Sequence, residues 1–186
     1  VPAWLLESLK YVAAAVLPAL VAPDVLFRDA PPGEMFNHYR IAAAVDAAGA
    51  RDAVVDAYRR FLLLNPRLLS VCTDWQLRDV DGEQVPNDHT DEVHDAAAIA
   101  HLHGIDLEAQ PVCDALATAL GRFGTYGTRL AHTLEQADAG HVDWFTKPTI
   151  ASYHTVWFEL HENLLATLGI DRASERPADP SPAPPN

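Results

Sequence analysis

Chemistry in this chain is most readily sought among its histidines, of which there are nine. Two stand in the segment SYHTVWFELHENLL, residues 152–165. At 100° per residue, Tyr153, Val156, Trp157, Leu160, Leu164 and Leu168 gather on one side of a helix, and Glu159, Glu162, Asn163 and Ala166 lie opposite. His154 and His161 fall inside the apolar arc. An imidazole there suits metal ligation or proton transfer at neutral pH. Seven residues apart, the two rings are separated by roughly 10 Å along the axis. Metal–nitrogen bonds are about 2 Å, so one ion takes at most one of them. His161 lies deeper, among Trp157, Leu164 and Leu165, and is read as the shielded ligand. His154 stands near the helix start and is read as the catalytic acid–base residue or substrate contact.

Two further segments carry candidate sites. In NDHTDEVHDAAAIAHLHG, residues 87–104, His94 and His101 again stand seven apart, on a stripe with Val93, Ala97 and Ala98. His94 is the rival metal ligand, and Asp91 three residues before it has a spacing that a metal site accepts. Asp91, Glu92 and Asp95 also suit the positive end of a helix dipole. In GRFGTYGTR, Gly121, Gly124 and Gly127 recur every third residue within a helical pattern. Each costs about 1 kcal/mol relative to Ala in a helix interior. Another helix fills the groove they leave, or a flat ligand does, or the helix breaks there.

Together these residues point to iron. A carboxylate-bridged di-iron bundle uses Glu-x-x-His on two helices, and no Glu-x-x-His occurs here. A haem asks for one axial histidine and an apolar slot. His161, or His94 in its place, supplies the ligand, and Gly121, Gly124 and Gly127 supply the slot. The expectation is a haem- or non-haem-iron-dependent oxygenase or oxidoreductase acting on a small molecule. Tyr153, Trp157 and Trp144, with Trp75 and Phe145, are the aromatic residues expected to line its pocket. The competing reading is a non-catalytic helical module that binds a ligand or a partner. Nucleophile elbows, P-loops and dinucleotide fingerprints do not occur.

Composition narrows the partners. The chain has 186 residues, 49% of them hydrophobic, and a net charge of −13. That acidity disfavours nucleic acids and anionic membrane surfaces. Cys72 and Cys113 form neither a CxxC pair nor a disulfide framework, so a cytoplasmic, reducing setting is expected. The apolar run of residues 11–22 is about a dozen long, short of the ~20 a membrane span needs. It reads as a buried helix bent at Pro18. A small-molecule substrate and a homodimer are the expected partners.

The elements that must position these residues are helical. Periodicity predicts helices over 3–22, 34–48 (stopped by Gly49), 50–64 (stopped before Pro66), 90–103 (stopped by Gly104), 111–139 and 149–168 (stopped by Gly169). Asp81-Gly82, flanked by Leu77, Val80 and Val85, predicts a hairpin. The fold expected is all-α, a bundle of about six helices with one hairpin insertion. Residues 1–172 make one domain. Its N-terminal side is expected to be open to extension, as the chain begins at Val1. Residues 173–186 read as a disordered proline-rich tail.

Overall fold

The computed structural model describes residues 45–46, 49–170 and 172. The predicted helix over 3–22, most of that over 34–48 and the tail at 173–186 lie outside these residues. Among the described residues the chain is all-α with one two-stranded hairpin, in the order α1 (Arg51–Gln76), β1 (Leu77–Val80), β2 (Glu83–Pro86), α2 (Glu92–Ala119), α3 (Tyr126–Asp138), α4 (Asp143–Thr146) and α5 (Tyr153–Leu168).

Helix α1 runs through Pro66 to Gln76 rather than stopping at residue 64. Proline removes one backbone donor, and here that loss falls on the solvent side, where Pro66 is exposed. The buried row Val54, Ala57, Phe61, Leu64, Leu68, Val71 and Trp75 alternates steps of three and four across the proline. That row sustains the helix. Helix α2 likewise joins the predicted 90–103 and 111–139 helices through Gly104 and Pro111. Its buried row, Ala98, Leu102, Ile105, Ala109, Val112 and Leu116, keeps the same rhythm. The two helices pack antiparallel. Arg67 meets Glu108 at 2.8 Å, Arg60 donates to the Pro111 carbonyl at 3.2 Å, and His94 Nε2 donates to the Asp74 carbonyl at 2.6 Å.

Between these helices the hairpin turns at Asp81 (φ 55°) and Gly82 (φ 87°), both left-handed, as a two-residue turn requires. Leu77 pairs with Pro86 and Val80 with Glu83. The predicted helix to residue 139 breaks after Ala119. Leu120 is extended, Gly121–Phe123 forms a single 3-10 turn, and α3 starts at Tyr126. Phe123, fully buried, anchors that break. Helix α5 starts where Ser152 Oγ accepts from the Thr155 amide and ends at Gly169 in the left-handed region, as expected.

The glycines differ in what surrounds them, and substitution separates them. A Cβ at Gly104 would meet nothing within 4 Å, whereas one at Gly127 would lie 2.9 Å from Gln110 Oε1. Gly104→Ala is expected to stabilise the fold by about 0.8–1 kcal/mol, the helix-propensity gain alone. Gly127→Ala must turn Gln110 away from its hydrogen bonds, and a net loss of about 1 kcal/mol is expected. Chemical denaturation of both variants reads the two signs. A stabilised Gly127→Ala would mean that Gln110 is free to move.

Candidate functional site

The histidines of α5 do not share one environment. His161 is 4% exposed, its ring 5.0 Å from Phe61 and 6.5 Å from Tyr58, both on α1. The imidazole thus lies in the core beside these two rings, as its helical phase implied. His154 is half-buried, and desolvation lowers its pKa below the usual 6.5. The neutral ring is therefore favoured in the folded chain. The unfolded chain binds the proton more readily, so this residue supports folding fully above pH 6.5 and progressively less as pH falls below it. His154→Phe is expected to flatten that part of the stability–pH curve, measured by urea midpoints. An unchanged slope would assign the acid sensitivity to other groups.

His94 is not brought to His161. It sits at the start of α2 against Asp74, whereas His161 packs at Tyr58 and Phe61. Along α1, Phe61 and Asp74 are about 20 Å apart at 1.5 Å per residue. The two therefore cannot ligate one ion. His101 is exposed, as is Val93, so the predicted inward pair on α2 is corrected to one half-buried residue, His94. Asp91 acts as the N-cap of α2, its Oδ1 accepting from the Val93 and His94 amides at 3.0 and 3.1 Å. Among the described residues no group of three or more His, Cys, Asp or Glu is placed to hold a metal ion.

The predicted pocket residues divide into separate clusters. Trp157 stacks on Phe61 at 4.5 Å and on Tyr153 at 6.4 Å, and its Nε1 donates to Asn65 Oδ1 at 3.0 Å. Trp75 packs against Phe145 at 4.7 Å. Trp144 meets only the His132 ring among the aromatic contacts of the described residues, edge-on at 5.4 Å. Gly121, in the 3-10 turn, and Gly124, just after it, are exposed. The space over Gly127 is occupied by Gln110 and Cys113 of α2, which is helix packing.

Two polar clusters carry the chemistry that periodicity overlooks. The first is buried. Asp106 of α2 accepts from Tyr153 Oη at 3.0 Å and from Gln110 Nε2 at 3.0 Å, and Gln110 Nε2 also donates to the Gly127 carbonyl at 3.2 Å. Burial and the nearby Asp106 charge raise the Tyr153 pKa well above its usual 10.0. Cys72 and Cys113 are pushed up to about 12, chiefly by burial, which leaves them thiols. The one signal for this cluster is a charged residue beside the apolar row of α2.

The second cluster lies where the hairpin meets α2. His89 Nδ1 donates to Asp95 Oδ2 at 3.0 Å, and its ring lies 4.6 Å from Trp75. Asn87 Nδ2 donates to Asp95 Oδ1 at 2.7 Å and to the Trp75 carbonyl at 3.0 Å, while Asn87 Oδ1 accepts from the His89 amide at 3.1 Å. His89 holds φ at 58°. Few residues without Gly's freedom adopt this conformation, although His does so more readily than most. Asn87 Nδ2 also lies 3.3 Å from His89 Nδ1; in the neutral ring an Nδ1–H held by the carboxylate leaves Nε2 as the acceptor. Nearby, Gln76 Oε1 and Arg78 Nε are buried without a hydrogen-bond partner among the described residues. No sequence motif marks His89, because its partner is six residues away across a non-repetitive turn. Compared with known protein families, with curated proteins and with solved structures, the chain matches none.

Proposed function

We propose that this chain is a helical module that binds a small polar molecule at the hairpin end of its bundle, with His89 as the contact residue. One observation carries this reading. Asp95 orients a partly exposed imidazole, 25% accessible, whose Nε2 has no hydrogen bond among the described residues. A carboxylate-oriented imidazole is an acceptor and a base. Gln76 Oε1 and Arg78 Nε, buried without a hydrogen-bond partner among the described residues, make this end of the bundle polar inside as well. The test is ligand-observed NMR with a library of polar fragments against the wild type, His89→Asn and His101→Asn. Asn tolerates the left-handed backbone and lacks the imidazole. Fragments are expected to bind wild type and His101→Asn and to be lost from His89→Asn. If no fragment distinguishes His89→Asn from wild type, His89 serves only to close the hairpin onto α2.

A second reading keeps iron or haem, with His161 as the ligand, His154 as the acid–base residue and an oxygenase or oxidoreductase reaction. Its support is the buried imidazole beside Phe61 and Tyr58. A haem needs a single axial histidine, so among iron sites it is the form that asks for His161 alone as its protein ligand. Metal analysis and the absorption spectrum of purified wild type and His161→Ala decide it. Iron or a Soret band in the first and not the second supports the reading, and no metal in either ends it.

A further inference from the structure

Charge and exposed apolar side chains are distributed unevenly over the bundle. From Ala57 to Thr73, α1 contains Arg59, Arg60 and Arg67 and no acidic residue, in a chain of net charge −13. All three arginines are exposed. Arg67 pairs with Glu108, and Arg60 bonds only a carbonyl, so neither Arg59 nor Arg60 has a carboxylate partner among the described residues. Leu63, 64% exposed, lies between them on the same flank. The hairpin end is the reverse. From Leu77 to Asp95 it carries Asp79, Asp81, Glu83, Asp88, Asp91, Glu92 and Asp95 against a single basic residue, Arg78, which pairs with Asp88 at 3.2 Å. There Val93 is 81% and Val80 41% exposed. Each region thus pairs an apolar side chain, which would gain from leaving water, with charges that complement the other region.

One molecule cannot bring the two regions together. Leu63 lies 13 residues before the end of α1, about 20 Å from the hairpin junction, on a rigid helix. We propose that this chain associates head to tail with copies of itself, the acidic hairpin end around Val93 seating on the arginine flank of α1 around Leu63. The contact is heterologous: two different patches meet, and each copy keeps one of each. The overall negative charge opposes association at long range. At about 0.1 M salt the screening length is about 10 Å, which mutes that repulsion and leaves contact pairs effective.

Sedimentation velocity of the full chain over a concentration series tests this at about 0.1 M and about 0.5 M NaCl. Wild type is expected to gain mass with concentration at the lower salt and to remain monomeric at the higher. Leu63→Asp and Val93→Asp alter highly exposed positions, so their circular dichroism should match wild type. Each alone is expected to weaken association about tenfold or more. Mixed in equal amounts, each supplies the patch that the other lacks, and they should form a dimer and stop there. Three outcomes would overturn the proposal: a monomeric wild type at the lower salt, association indifferent to salt, or a mixture that forms no dimer. A same-patch dimer would also overturn it: only one variant is then affected, and the other dimerises without its mixture partner.

Discussion

Trp157→Ala is expected to lower stability by roughly 3–5 kcal/mol, the scale for removing a buried large aromatic. For a chain of this size that is a fall in Tm of roughly 6–20 °C. The indole is sandwiched between Phe61 of α1 and Tyr153 of its own helix, at 4.5 and 6.4 Å. It also donates to Asn65, the residue before Pro66. Its removal opens a cavity where α1 and α5 meet and strips Asn65 of its donor. Trp157→Phe retains much of the stack and loses the N–H, so a smaller loss of about 1–2 kcal/mol is expected. Thermal and urea unfolding followed by circular dichroism measure both. If Trp157→Ala lost less than about 1 kcal/mol, the interface would be able to collapse around the gap.

Tyr153→Phe is expected to cost about 1.5–3 kcal/mol, the range for a hydrogen bond to a charged group. The phenol is one of two side-chain donors serving the buried Asp106 carboxylate. Deleting it leaves a desolvated charge with Gln110 alone. The control is Asp106→Leu, which removes the charge itself. In that background Tyr153→Phe should cost less than about 1 kcal/mol, since the hydroxyl no longer has its acceptor. Equal costs in both backgrounds would show that the two side chains are not coupled. Alkali probes the same region. Tyr153, Cys72 and Cys113 all have raised pKa values in the folded chain. Their contribution is therefore complete below the ordinary thiol pKa of 9.0 and is lost as pH climbs toward about 12.

The helical class was legible because apolar residues recur in steps of three and four over long stretches. The helix boundaries differ from those that proline and glycine predict, because that recurrence continues across them. Pro66, Gly104 and Pro111 each sit on the outer surface of a continuing helix. Their local penalty is a few kcal/mol, and burial of rows such as Leu64, Leu68 and Val71 offsets it. The 3-10 break after Ala119 was one of the readings open at GRFGTYGTR, and Gly127 shows the close helix packing that was another. The inward phase of His161 was also legible, being a property of one helix. The outward position of His101 was not. His94 and His101 share a stripe, but of the two only His94 meets the end of α1, at the Asp74 carbonyl.

By itself, the sequence determined the all-α class, the Asp81-Gly82 hairpin, the end of α5 at Gly169, and the interior placement of Trp157 and His161. These follow from backbone preferences and from periodicity within a single element, which act over a few residues. Only the tertiary structure decided which polar groups meet. Asp106 reaches Tyr153 across 47 positions, Trp157 reaches Asn65 across 92, and His89 turns onto Asp95 through an irregular loop. Such contacts depend on how helices are stacked and at what register, and no local preference encodes that. The separation of His94 from His161 has the same origin: two histidine helices were evident, but their levels along α1 were set by packing.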